Sequence, residues 1–270
     1  MDNVWDTVLA FAKDITGDVG DKLLVDFGQV QGDVKADGSL VTRCDRWADE
    51  TLRLAIQQQF PDHGVLSEEV EHIFPATDWC WIIDPIDGTT NFTRGIPVWG
   101  ISLGLLYRGV PVFGYVAMPP LGQDFYGYWP GESGLEMPTG AYCNGRPMHP
   151  SDAAPGQNQF FSLCARSTHL LANPFPCKIR MLGSAAYNLL IVGAGWAIGA
   201  VEATPKIWDI AAVWAIVQAA GATWVALDDQ VIFPLVVGQN YGDRPYPTLV
   251  TAQGHWVETF RPLVQGVAKP

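Results

Sequence analysis

An apolar, β-prone run, Trp79-Cys80-Trp81-Ile82-Ile83, ends abruptly in Asp84-Pro85-Ile86-Asp87-Gly88. Five bulky apolar residues in a row predict a buried strand, and Pro85 blocks its continuation. Two aspartates three residues apart then leave the end of that strand together. Gly88 frees the backbone for close approach to a ligand, and Thr89 and Thr90 open the next segment with unspent N–H groups suited to phosphate oxygens. Oxygen-only ligands on a rigid turn suit Mg²⁺, which takes a few carboxylates together with substrate phosphate. Asp-Pro and Asp-Gly are also ordinary turn dipeptides. Alone, the stretch leaves both readings open.

The rest of the composition narrows the choice. The 270 residues carry 16 Lys+Arg against 28 Asp+Glu, a formal charge of −12. Such a surface repels nucleic acid and anionic membranes. It would repel a phosphorylated substrate as well, unless cations reverse the sign locally. The start, Met1-Asp2-Asn3-Val4-Trp5-Asp6, is acidic where a signal peptide would be basic. The apolar run Leu189–Val201 is broken by glycines and is too short to span a bilayer. Five scattered cysteines (Cys44, Cys80, Cys143, Cys164, Cys177) form no C-x-x-C, and the histidines form no zinc pattern. Reduced thiols in a cytoplasmic protein are expected, and any metal ligands should be carboxylates.

Helical spacing over residues 3 to about 28 predicts a first helix, with Gly17 and Gly20 as candidate breaks. A second helix is expected from Thr42 to Phe60, before Pro61. Gly64–Leu66 reads as a strand delivering Ser67-Glu68-Glu69. Ile101–Leu106, Val110–Val116 and Phe125–Trp129 have the pattern of an antiparallel meander. From about Pro150, strands and helices alternate to Val264. This mixed order predicts an α/β (α+β layered) fold, with an N-terminal half over 1–150 carrying the metal-binding carboxylates and a C-terminal half over 151–270 completing the site.

Four motifs occur in one order: Lys35 through Asp45 (K-x-D-x-S-x-V-T-x-x-D), Glu68-Glu69, Asp84 through Phe92, and Trp208-Asp209-Ile210-Ala211-Ala212. Together they resemble the signatures of the inositol monophosphatase family, lithium-sensitive and magnesium-dependent phosphatases. The resemblance implies an αβαβα sandwich, a homodimer, and two or three Mg²⁺ per active site. It implies that Glu68, Asp84 and the Ile86 carbonyl hold one ion, that Asp84, Asp87 and Asp209 hold a second, and that Glu68 contributes to a weaker third. Asp45 and Thr89 would orient and deprotonate the attacking water. Asp87, Gly88 and Thr89 would meet the phosphate. Gly183-Ser184-Ala185 and Glu202 would face the substrate hydroxyls. Metals ~3.5–4 Å apart can clamp both oxygens of an in-line displacement, and crowded carboxylates need cations between them.

Several of these residues also have a plainer reading. Asp45 fits the capping box Thr42-x-x-Asp45, and Asp209 could cap the helix that follows it. Glu69 reads as a solvated charge, Lys35 as a surface lysine, Trp208 as a core wedge and Glu202 as a charge at a strand end. Ala203-Thr204-Pro205-Lys206 and Val213 depart from the usual inositol phosphatase context. The expected substrate is a small phosphorylated polyol or sugar, foremost inositol monophosphate. Histidinol phosphate, fructose 1,6-bisphosphate and a 3′-phosphoadenosine nucleotide are the alternatives within the superfamily. A non-catalytic, regulatory metal-binding protein is the alternative outside it.

Overall fold

A computed structural model describes residues 4–35, 38–170, 175–264 and 266; Asp37 of the first motif and the acidic start at Met1–Asn3 lie outside the described residues. Helix α1 (Val4–Asp26) buries Trp5, Val8, Ala12, Val19 and Leu23 on one face. It runs unbroken through both glycines, contrary to the expected break. Helix-interior glycine costs only about 1 kcal/mol, less than the buried face returns. A two-stranded ribbon, β1 (Asp33–Val34) and β2 (Leu40–Val41), leads into α2 (Arg43–Gln59). The expected capping box closes there: Thr42 Oγ1 accepts the Cys44 N–H at 2.9 Å and Asp45 Oδ2 accepts the Thr42 N–H at 2.7 Å.

The main sheet has seven strands in chain order. They are β3 (Gly64–Ser67), β4 (Trp79–Asp87), β5 (Gly100–Tyr107), β6 (Val110–Met118), β7 (Gln123–Tyr128), β8 (Gly140–Cys143) and β9 (Arg146–Pro147). Only the β3–β4 pair is parallel; the meander pairs antiparallel as its sequence suggested. Strand β4 is apolar from Trp79 to Ile83 because both faces are covered there, and it continues past Pro85 to Asp87 rather than ending before the proline. Trp81 and Ile83 meet α1 and α2, and Cys80 and Ile82 face the opposite layer. A short helix, α3 (Thr89–Arg94), follows the turn at Gly88.

The second sheet has five strands in the order β11-β10-β12-β14-β13: β10 (Phe160–Leu163), β11 (Lys178–Arg180), β12 (Gly199–Glu202), β13 (Thr223–Ala226) and β14 (Thr248–Thr251). Strands β10, β11 and β12 run parallel, and β14 is antiparallel to both its neighbours. Helices α4 (Ala185–Gly193) and α5 (Ile207–Ala220) fill the space between the sheets, and α6 (Val257–Val264) packs on β14. The layers therefore run αβαβα.

Helix α5 is apolar nearly all round, as a helix between two sheets must be. It approaches the main sheet closely across a row of paired glycines: Gly104 on β5, Gly114 on β6 and Gly127 on β7. A Cβ at Gly114 would lie 2.0 Å from the Ala212 carbonyl oxygen, and one at Gly104 would lie 2.8 Å from the Ala212 nitrogen. Only glycine leaves room for this helix at this depth, and Asp209 sits in its first turn.

Among the described residues all five cysteines are free thiols, and no helix is long and apolar enough to cross a membrane.

Candidate active site

The carboxylates converge where the main sheet, α5 and the ends of β10 and β12 meet. Strand β4 loses regular pairing with β5 between Asp84 and Asp87, and this irregularity lets both side chains leave the strand toward α5. Carboxylate oxygens of Asp84, Asp87 and Asp209 all lie within 4.8 Å of one another. They line a cleft of about 740 Å³ together with Glu68, Ile86, Gly88, Thr89 and the Gly183–Ala185 turn.

Each acid is held from behind by donors that leave its other edge to the cleft. Asp87 accepts the Ala185 and Ala186 N–H groups, both at 3.0 Å, and the Ser184 hydroxyl. The Gly183–Ala186 turn thus spends these donors on Asp87, where the family pattern assigns its backbone to substrate. Asp209 Oδ2 accepts the Lys206 N–H at 2.6 Å, which places it in the third position of α5 rather than at its cap. Asp84 Oδ1 accepts the Ile86 N–H at 3.1 Å. Thr89 Oγ1 lies 3.0 Å from Asp45 Oδ1 and 3.1 Å from the Ile86 carbonyl oxygen, so its single proton can serve either. Asp45 keeps its capping bonds on Oδ2 and turns Oδ1 to Thr89.

Two plainer readings are corrected. Lys35 is no surface lysine: Nζ lies 2.8 Å from Glu68 and 2.7 Å from Glu69. Glu69, with only 8% of its side chain exposed, is no solvated charge. Burial by itself would lower the Lys35 pKa, but the charge of Glu68 and the bonds to both glutamates hold it well above the usual lysine value. Trp208 is buried and stacks on His72 at 5.2 Å, while His72 Nε2 sits 2.8 Å from the Glu68 carbonyl oxygen. Glu202 is buried at the cleft floor, its Oε1 accepting from Asn188 Nδ2 at 2.6 Å, which is more than a strand-end charge requires.

The motifs gave no role to Asn91 or Asn188. Asn91 donates at 2.7 Å to the carbonyls of both Val98 and Leu182, tying the segment that enters the Gly183–Ala186 turn to the β4–β5 connection. Asn91 stood inside a quoted signature. Asn188 carried no local signal.

Burial dominates the electrostatics. It pushes Glu68 up to about 8 and Asp87 up to about 7, and the negative charge of Asp209 adds to the rise at Asp87. Burial, reinforced by the charge of Glu68, carries Asp84 well above the usual range; Asp209, Asp45 and Glu202 are raised by burial too. A cluster of hard oxygen donors, too crowded to ionise together without countercharge, is a fitting host for a divalent cation.

The sign of the pH dependence follows. Folded Glu68 and Asp87 keep protons that an unfolded chain releases at about pH 4. Their contribution to stability is therefore complete below that pH and is lost as pH climbs through about 7 at Asp87 and about 8 at Glu68. In chelator-treated protein the melting temperature should fall between pH 5 and pH 8, and added Mg²⁺ should raise it more at pH 8 than at pH 5. Melting curves that rise with pH without metal would contradict this electrostatic account.

A model of the inositol monophosphatase family matches residues 4–254. The chain belongs to that family. A Thermotoga maritima protein named fructose-1,6-bisphosphatase/inositol-1-monophosphatase is 35% identical over 226 residues, covering 79% of this chain and 82% of its own. A histidinol-phosphatase of Chlorobaculum parvum is 32% identical over 196 residues, covering 69% and 72%. Among solved structures, a Thermotoga maritima IMPase superposes with a TM-score of 0.82 at 29% identity, covering 97% of this chain and 98% of that one. As a member of the inositol monophosphatase family the chain is a phosphatase, a phosphoric monoester hydrolase, and the family uses divalent metal ions.

Proposed function

We propose that this phosphatase hydrolyses a small phosphorylated polyol, foremost inositol monophosphate, and that it requires Mg²⁺. One observation carries the reading: the oxygens of Asp84, Asp87 and Asp209 within 4.8 Å of one another. Glu68, Asp84 and the Ile86 carbonyl are assigned to one ion, Asp84, Asp87 and Asp209 to a second, and Glu68 to a weaker third.

Bound there, the ions supply positive charge to the ester oxygens and lower the pKa of water. The protein's own part is to position and to move protons. Gly88, at φ +97°, lets the backbone pass close to the phosphate, and the N–H groups that open α3 lack intrahelical partners. Water beside Thr89 gives its proton to Thr89 Oγ1 as Thr89 passes its own to Asp45 Oδ1, along the 3.0 Å contact. The capping bonds on Oδ2 keep Asp45 from turning away during this transfer. Gly183, Ser184, Ala185 and Glu202 form the wall facing the alcohol.

Free thiols support a cytoplasmic setting, and the family likeness supports a homodimer. The test is a panel of phosphate esters assayed with Mg²⁺ and with chelator. Hydrolysis of inositol monophosphate that depends on Mg²⁺ and is inhibited by Li⁺ is the expected result. Full activity in metal-free protein would overturn the assignment.

A further inference from the structure

A second cavity, about 510 Å³ in volume, lies between α1 and strands β6 and β7 and shares no lining residue with the carboxylate cleft. A water molecule takes up only about 30 Å³, whereas small-molecule sites run from about 300 to 1,000 Å³. Strand register builds one wall. Ala117 pairs with Asp124 and Tyr115 with Tyr126, so all four share the sheet face turned toward α1. The two tyrosine rings stack nearly parallel, 6.4 Å apart. Tyr115 donates its hydroxyl proton to Asp124 Oδ2 at 3.1 Å, while Asp124 Oδ1 is buried and has no hydrogen-bond partner among the described residues. No lysine or arginine among them pairs with Asp124. A buried carboxylate oxygen without a donor is unfavourable, so this position suits a ligand that brings one.

Helix α1 forms the other wall, and its two interior glycines shape it. A Cβ at Gly20 would stand 2.8 Å from Pro119 Cγ, so glycine there lets the helix settle against the turn that follows β6. A Cβ at Gly17 would meet nothing within 4 Å. Packing does not account for Gly17, which a helix interior disfavours; the missing side chain keeps the groove open.

Charge and shape select the ligand. Asp124 and Asp21 line the groove against one cation, the exposed Lys13. In a chain of charge −12 that balance favours cations over anions. One buried carboxylate oxygen beside a tyrosine hydroxyl offers too few hard donors for Mg²⁺ or Ca²⁺. The stacked tyrosines suit an ammonium group as well. Leu9, Leu24, Met118 and Pro119 give the rest of the groove an apolar lining.

We propose that this groove is a binding site for a small primary amine in its ammonium form on an aromatic or aliphatic body, with the ammonium seated on Asp124. The site is separate from the phosphatase centre and does not depend on the substrate assigned to it.

The test is titration calorimetry of Mg²⁺-saturated protein with 2-phenylethylammonium, and with 3-phenylpropionate as the charge-reversed counterpart. Wild type should bind the amine with a Kd of about 1 mM or tighter and should not bind the acid. Asp124→Asn keeps an oxygen for the Tyr115 hydroxyl and should weaken the amine at least about tenfold. Gly17→Leu fills the groove from the helix side and should abolish binding, with a melting temperature no lower than wild type. An amine that fails to bind wild type at about 10 mM, or binds both variants as tightly as wild type, would overturn the site. If the groove instead seats a second copy of the chain, both variants will lower the mass measured by light scattering and wild type will ignore the amine, which overturns the proposal equally.

Discussion

Asp209→Asn should lower kcat by about 10²–10³-fold or more, with far less change in KM, because charge stabilisation of this kind is realised mainly in the transition state. The substitution is clean in structural terms. The asparagine oxygen can still accept the Lys206 N–H that now bonds Oδ2 at 2.6 Å, so α5 keeps its start while the cluster loses one charge. The metal-free protein should then melt at a higher temperature than wild type at pH 8, since one crowded carboxylate is gone. Asp87→Asn should match the loss of activity without the gain in stability. Asp87 accepts three donors, from Ser184, Ala185 and Ala186, and an NH₂ group must oppose one of them. Steady-state kinetics with melting curves separate these outcomes, and an Asp209→Asn enzyme within about twofold of wild-type kcat would remove Asp209 from the chemistry.

Gly114→Ala should be the most damaging single methyl group in the protein. The added carbon would stand 2.0 Å from the Ala212 carbonyl oxygen and 2.7 Å from its carbon, both backbone atoms that cannot rotate aside. Either β6 or α5 must move. Overpacking of this kind costs about 1–3 kcal/mol or more, and displacement of α5 carries Asp209 with it. Activity should therefore fall further than stability predicts. Gly17→Ala is the control: nothing lies within 4 Å of its added carbon, and replacing helical glycine should stabilise by about 0.5–1 kcal/mol. Urea midpoints measure both. A Gly114→Ala protein with a wild-type midpoint would show that the glycine row is not what admits the helix.

The parts of this arrangement that were legible in the sequence are those encoded by neighbours in the chain. The run into Asp84 announces a buried strand, although the strand passes Pro85 and ends only at Asp87, and the Thr42–Asp45 box announces α2. The start of α5 was visible in Trp208-Asp209. What stayed hidden depends on distant partners. Nothing near Lys35 says that two glutamates more than thirty positions away will surround it, so it read as a surface lysine. Asn91 acts on the Leu182 carbonyl and Asn188 on Glu202, and neither asparagine has a local pattern that indicates this. The predicted break in α1 failed because glycine is a weak local signal that a buried helix face outweighs. The glycine row on β5, β6 and β7 is invisible along the chain, since Gly104, Gly114 and Gly127 become neighbours only through strand register.

Helix α5 is a party wall: the main sheet leans on one side of it, the second sheet borders the space on the other, and its first turn carries a carboxylate of the cleft. A gene fusion that exchanged one half of the chain for a relative's would ask a foreign sheet to fit this wall to within a methyl group, and a misfit would reach Asp209 at once. A crossover that keeps α5 with both of its sheets should leave the carboxylate cluster intact, whereas one that replaces Lys206 alone already touches the wall, because its N–H caps α5 and holds Asp209 Oδ2 at 2.6 Å.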